Sequence, residues 1–372
     1  MPRVVAIDGP PGTGKTRRIV AEASAWTTEN GAVVTYTNDA AAVLQQRAPD
    51  VPSGTVYSLT WPYVRDYLKG AKAGVAYSNR AYTARKIHHL FDTALDQYLL
   101  DAPSRRARDQ LDFMAKALHD WRDGDPPFDL DSELPKGPIK YLLPLARWLE
   151  DGAPVPEAEK YDCLMIDEAQ DMSWTELRAA LALVKADGNV WTFGDPGQAI
   201  FGESKGMKGA QLPPVWQRAD ETEVLNKGWR VGDNVASVAA AALRSYYDRP
   251  AATFRADHST QLLTWRPDSP PRRGLVLGYS RHSVAKAFRG WGLRGTGIVP
   301  KVGRADEELV LSTGHAAKGA EADDVYLLPW SRVALERFER REPQTVRLLY
   351  VMLTRARRRL HVPRTLRARL PI

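Results

Sequence analysis

The sequence has one cysteine in 372 residues, Cys163. A single thiol excludes an internal disulfide and any zinc site built on a cysteine cluster. It lies in the apolar run Cys163-Leu164-Met165-Ile166, which suits a small core residue. No apolar run is long enough to span a bilayer, and no long apolar stretch follows the early Arg3. The expectation is a soluble, cytoplasmic chain with no membrane span and no secretory leader. Internal repeats and low-complexity tracts are also lacking.

What is present is ordinary for a globular protein: 44% hydrophobic and 26% charged residues. The length allows two cores, at about 150 residues per domain. The formal charge of +7 and a pI near 9.3 are compatible with a polyanionic partner, a weak pointer by itself.

Residues 9–16, Gly-Pro-Pro-Gly-Thr-Gly-Lys-Thr, satisfy the phosphate-binding pattern G-x-x-x-x-G-K-[ST] in full. The apolar run Val4–Ile7 precedes it and a helical segment follows, which is the strand–loop–helix setting the motif needs. Gly9, Gly12 and Gly14 let the backbone curl its N–H groups around phosphate oxygens, with Thr13 between them. Lys15 reaches the β- and γ-phosphates, and the Thr16 hydroxyl suits Mg²⁺. The stretch therefore predicts a nucleoside triphosphate site with Mg²⁺.

Apolar runs at 32–37 and 54–59 predict the next extended pieces, with a helix capped by Asn38 or Asp39 between them. Ile87, Leu90, Phe91, Ala94, Leu95, Tyr98 and Leu99 fall on one helical face, and Leu111, Met114, Leu118 and Trp121 on another. This is read as a mostly helical insertion; His88 and His89 within it point about 100° apart and suit surface positions better than metal ligation. Strands return at Cys163–Ile166 and Val190–Phe193. In the second half, strand-like runs at Leu275–Tyr279, Leu309–Ser312 and Val325–Leu328 surround helices near Val235 and Leu348, before a very basic end. Alternation of strands and helices predicts parallel sheets covered by helices.

Asp167 and Glu168 directly follow the strand at 163–166. Asp167 is placed to hold Mg²⁺, and Glu168 to orient or deprotonate an attacking water; Asp171 suits a helix cap before Trp174. Gln198, after the strand at 190–193, is a candidate γ-phosphate sensor. Arg230 and Arg355 are the candidate cations for a phosphoryl-transfer transition state, where one arginine is worth about 10³–10⁵ in rate.

Taken in order, these residues closely resemble superfamily 1 helicases of the UvrD/Rep type. The loop at 9–16 matches motif I, residues 35–41 motif Ia and 54–59 motif Ib. Asp167-Glu168-Ala169-Gln170-Asp171 matches motif II, and 194–200 motif III. Residues 225–230 and 275–280 match the motif IV region, 311–321 motif V and 347–356 motif VI. The resemblance covers nearly the whole chain outside the insertion. It implies two RecA-like P-loop NTPase domains in the α/β class, the first over 1–69 and 157–233, the second over 234–372, with the helical insertion at 70–156. ATP with Mg²⁺ would be hydrolysed between the two domains, and single-stranded or tailed duplex DNA would be the partner. Trp229 falls where the family stacks a tyrosine on adenine, and Glu321 would approach the nucleotide. Asn38, in motif Ia, joins the candidate DNA contacts. Tyr36 and Tyr57 would lie near DNA, with core packing as the competing reading for both; Thr313 and His315 would face DNA or couple it to ATP. The forms of motifs Ia and V resemble the 3′-to-5′ branch.

The departures are as specific. Eight residues precede Gly9 and none is the glutamine with which the family reads adenine. Glu203 stands where motif III often continues with arginine, so either Phe201 or Trp216 makes the base contact or that contact is lost. Residues 279–309 leave no room for the large second-domain insertion. These features predict a compact motor whose unwinding is weak or aided by a protein partner. A DNA-stimulated ATPase without strand separation is the rival within the class; a non-motor P-loop ATPase is the rival outside it. The guanine signature Asn-Lys-x-Asp fails at Trp229, against a G-protein switch.

Overall fold

The computed structural model describes residues 1–26, 30–36, 38–73, 145, 148–149, 152, 155–200, 212–244, 255–256, 258–293 and 308–370. Most of the expected insertion at 70–156, with its helical faces and His88 and His89, lies outside the described residues, as does Phe201. The chain forms two compact units. One comprises Met1–Ala6, Arg18–Thr192 and Phe201–Glu221; the other comprises Ile7–Arg17, Phe193–Ile200 and Thr222–Ile372.

The first sheet is built from β1 (Arg3–Asp8), β2 (Gly31–Thr35), β3 (Ser53–Thr55), β4 (Tyr161–Ile166), β5 (Val184–Gly194) and β6 (Glu221–Val224), in the order β3-β2-β4-β5-β1-β6. Strands β2, β3, β4 and β5 pair in parallel. Their runs are apolar without alternation because both faces are covered: the successive residues Val33 and Val34, and Leu164 and Met165, are all buried. The helices are α1 (Lys15–Ser24), α2 (Asn38–Arg47), α3 (Val56–Ala73), α4 (Trp174–Ala182) and α5 (Pro214–Arg218).

A two-stranded ladder pairs β7 (Lys227–Gly228) with β8 (Arg255–Ala256), flanking α6 (Asp233–Arg244). The second sheet joins β9 (Gln261–Trp265), β10 (Gly274–Gly278), β11 (Leu309–Thr313), β12 (Ala322–Leu327) and β13 (Ala356–Pro363) in the order β11-β10-β12-β13-β9. Every pairing in it is parallel. Around it lie α7 (Arg281–Gly290), α8 (Arg332–Glu339), α9 (Pro343–Leu353) and α10 (Arg364–Arg367). Helix α9 is buried at every residue from Thr345 to Leu353, the mark of a core helix rather than a surface one. The fold is α/β, with two RecA-like parallel sheets.

Three local readings are corrected. The extended piece expected at 54–59 is a strand only to Thr55; Thr55 Oγ1 accepts from the Ser58 N–H at 3.2 Å, and this local bond turns the chain into α3. The cap of α4 is Ser173 rather than Asp171: Ser173 Oγ accepts from the Glu176 N–H, and Glu176 returns a carboxylate oxygen to the Ser173 N–H at 2.8 Å, a capping box. Trp216 is buried in the core of its unit, so it does not serve as a surface base contact. Cys163 is buried, as its apolar run implies.

Candidate nucleotide site

Strand β1 delivers the chain into the phosphate loop at Gly9, whose N–H donates to the Gly194 carbonyl at 2.8 Å. Gly12 and Gly14 have φ of +76° and +85°, a backbone that side chains with a Cβ rarely adopt. A Cβ at Gly9 would come within 2.9 Å of both Lys15 Cγ and Thr13 Oγ1, and one at Gly12 within 2.3 Å of Arg230 Cβ. Thr13 Oγ1 donates to the Pro10 carbonyl at 2.8 Å. Lys15 is 8% exposed; its ammonium donates to the Gly9 carbonyl and, at 3.3 Å, to that of Pro10. The loop opens α1 at Lys15, with Thr16 as its second residue and no acid in the first turn. A cationic group set in a glycine cradle at a helix N-terminus fits a triphosphate.

Trp229 and Arg230 back this loop within the same unit. The Trp229 N–H donates to the Gly12 carbonyl at 2.9 Å. Its indole is 60% exposed, with Lys227 Nζ 4.3 Å from the ring centroid, a cation–π contact. The Arg230 guanidinium forms an ion pair with Glu321, which also lies 3.6 Å from Arg357 Nη1. Glu321, expected near the nucleotide, is thus held by two arginines, one of them the candidate cation Arg230.

A second cluster gathers Asp195, Gln198, Tyr350 and Arg355. A short turn, Pro196–Gln198, follows β5, and the Gly197 N–H donates to Asp195 Oδ1 at 2.9 Å. Asp195 Oδ2 accepts from Gln198 Nε2 at 3.0 Å and from the Tyr350 hydroxyl at 2.9 Å. Gln198 Oε1 accepts from Arg355 Nη2 at 2.9 Å, and the Gln198 carbonyl from Lys318 Nζ at 2.9 Å. Arg355 is 1% exposed and also donates to the carbonyls of Val351 and Ala320. Burial pushes the Asp195 carboxyl above its usual range, against the pull of the Lys15 ammonium and its three donors. The Tyr350 hydroxyl is held well above its ordinary value by burial and by Asp195.

The carboxylate pair belongs to the other unit. Asp167 directly follows β4, is 4% exposed, and its Oδ1 accepts the Glu168 N–H at 2.9 Å. Glu168 has φ 54° and ψ 37°, a left-handed conformation that is uncommon outside glycine. Gln170 Nε2 donates to Glu168 Oε2. Among the described residues no three His, Cys, Asp or Glu side chains gather into a metal cluster.

The nucleic-acid candidates divide. Asn38 is exposed at the start of α2, and Tyr36 is half-buried just after β2. Tyr57 packs against the core, and its hydroxyl donates to Glu176 Oε1 at 2.8 Å, the arrangement expected of the packing reading. Thr313 ends β11, with Oγ1 accepting from the Ala316 N–H at 3.2 Å. His315 is half-buried, its pKa lowered by burial and then by Lys318. Sequence reasoning missed Asp195, Tyr350 and Lys318, although all three lie inside the matched motifs.

A glycine loop curled around Lys15 at the start of α1 is the nucleotide-binding loop of a P-loop protein. The AAA domain family matches residues 2–261, and the UvrD-like helicase C-terminal domain matches residues 308–362. The chain belongs to the AAA domain family, and its C-terminal part is similar to the UvrD-like helicase C-terminal domain. Among solved structures it is similar to the helicase of PRRSV, at 15% identity and a TM-score of 0.47 over 99% of this chain and 54% of that one. It is also similar to arterivirus nonstructural protein 10 (helicase), at 17% identity and a TM-score of 0.46 over 99% and 62% of the two chains. A complex of arterivirus nonstructural protein 10 with DNA gives 15%, 0.46, 97% and 60%. The chain thus spans little more than half the length of the first of these proteins. Curated protein sequences give no match.

Proposed function

We propose that this protein is an ATP-driven motor that moves 3′ to 5′ along single-stranded DNA. The observation that supports the reading most is the pairing, in one unit, of the phosphate loop with Trp229 and Arg230, beside a buried Asp195–Gln198–Arg355 chain. In this reading Lys15 and the loop N–H groups bind the β- and γ-phosphates, and Trp229 offers its exposed indole to the base. Thr16 and Asp167 would hold Mg²⁺, which when bound neutralises charge on the phosphate oxygens. Glu168 takes the proton of the attacking water on a carboxylate oxygen. Arg230 exchanges Glu321 for phosphate, and Arg355 turns its Nη2 from Gln198 toward the transferring group, where acceptor oxygens carry more charge. Thr313 and His315 relay strand binding to Gln198 through the Lys318 contact. Asn38 and Tyr36 lie along the strand.

The test is strand displacement on partial duplexes with 3′ or 5′ single-stranded tails, with ATP turnover followed in parallel. Displacement with 3′ tails only is expected, together with turnover stimulated by single-stranded DNA. Stimulated turnover without displacement would favour a translocase that needs a protein partner to part strands. Turnover indifferent to nucleic acid would end the motor reading. Lys15→Ala is expected to abolish turnover. Glu168→Gln should abolish it too while still binding ATP and DNA.

A further inference from the structure

The Asp195 cluster closes on itself. The Tyr350 hydroxyl donates to Asp195 Oδ2, which also accepts from Gln198 Nε2; Gln198 Oε1 accepts from Arg355 Nη2. Arg355 Nη2 also lies 3.4 Å from Thr354 Oγ1, and Thr354 Oγ1 donates to the Tyr350 carbonyl at 2.9 Å. Starting at the tyrosine's side chain, the ring returns to its backbone.

The ring has a direction fixed by donor and acceptor chemistry. A carboxylate only accepts and a guanidinium only donates, whereas a glutamine amide has one end of each kind. With Asp195 at one end of Gln198, Nε2 must face the carboxylate, so Oε1 must face Arg355. Turning the amide over would set N–H against guanidinium and C=O against carboxylate, two repulsive contacts in a dry site. Asp195 is in turn held on both oxygens, by the Gly197 N–H on Oδ1 and by Tyr350 on Oδ2.

We infer that Asp195 and Tyr350 are positioning residues for ATP hydrolysis, acting through Gln198 to set where Arg355 presents its guanidinium. The inference rests on the reading of the protein as an ATPase. Tyr350 acts at two removes, by fixing the carboxylate that orients the amide.

The experiment uses the full chain and measures steady-state ATP turnover with single-stranded DNA, alongside equilibrium binding of a fluorescent ATP analogue. The variants are Tyr350→Phe, Asp195→Asn and Gln198→Ala, plus each of the first two combined with Gln198→Ala. Tyr350→Phe is expected to lower kcat about tenfold, the scale of one hydrogen bond to a charged group, and to leave nucleotide affinity within about twofold, since it removes no ground-state contact. In the Gln198→Ala background, either substitution should cost less than about twofold more, because its effect passes through the missing amide. Full additivity with Gln198→Ala would overturn the inference, as would a parallel fall in affinity and kcat. If Tyr350→Phe does not fold, the Asp195→Asn arm of the cycle decides. A wild-type protein without ATP turnover would refute the ATPase reading itself; normal turnover in wild type and both single variants would refute only the positioning role.

Discussion

At Glu168 a non-glycine residue occupies left-handed space at the end of a buried strand, beside the carboxylate assigned to Mg²⁺. Such a conformation costs roughly 1–2 kcal/mol, and strain of this kind concentrates where a side chain must be aimed. Glu168→Gly removes the strain and the carboxylate together. Chemical denaturation is expected to show stability unchanged or raised by up to about 1 kcal/mol, while turnover is lost. A marked loss of stability would mean that the Glu168 backbone is not strained. Gly12 gives the opposite case. Gly12→Ala sets a methyl against Arg230 Cβ at a positive φ, so stability should fall by about 1–2 kcal/mol or more and nucleotide binding should weaken. At this scale the sequence is most readable where one residue type has one use, as with Gly12 and Gly14, whose positive φ the loop pattern demands. It is least readable where a role depends on a partner far along the chain: nothing local to Gly-Asp-Pro-Gly-Gln says that Asp195 meets a tyrosine 155 positions on.

At the scale of elements, the strands that were legible are those buried on both faces, such as Val4–Ile7 and Leu275–Leu277. Strand β13 was not, because Arg357, Arg358 and Arg359 interrupt its apolar run and read as a basic tail. In the structure their charges are met along the neighbouring strand and its lead-in: Arg357 and Arg358 pair with Asp323, and Arg359 with Asp324. Leu360 and Val362 fill the interior. The same ladder carries a pH prediction. His361 stacks on Tyr326 at 4.1 Å and lies 3.4 Å from Asp324, and burial lowers its pKa although Asp324 raises it. His315 is lowered as well. A histidine depressed by folding stabilises the native state fully above its unfolded value, about 6.5. That contribution is lost as pH falls through the folded pKa. Denaturation midpoints should therefore drop between neutral pH and pH about 5, and His361→Gln should flatten part of that slope. An unchanged slope would remove His361 from the account.

For the whole molecule, the net charge of +7 gains meaning only with a partner. If the protein tracks single-stranded DNA, its affinity should fall steeply with salt, by about 0.7 logarithmic units per tenfold salt for each phosphate neutralised. A binding isotherm insensitive to salt would argue against backbone tracking. The fold class was readable over most of the chain because several motifs, such as those at 9–16, 167–171 and 194–200, follow buried strands, where sequence and geometry are tied most closely. The grouping of residues 7–17 and 193–200 with the second half of the chain was not readable, since it follows from packing by α9 and its neighbours rather than from any local pattern.

That grouping sets a schedule for synthesis. Asp195 waits for Tyr350, and Gln198 waits for Arg355 157 residues later. A growing chain displays a complete phosphate loop early and Asp195 and Gln198 midway, but Tyr350 and Arg355 leave the ribosome long after both. On the proposed reading, a nascent or clipped protein stopping short of α9 keeps its phosphate loop but lacks the arginine needed to spend the nucleotide held there.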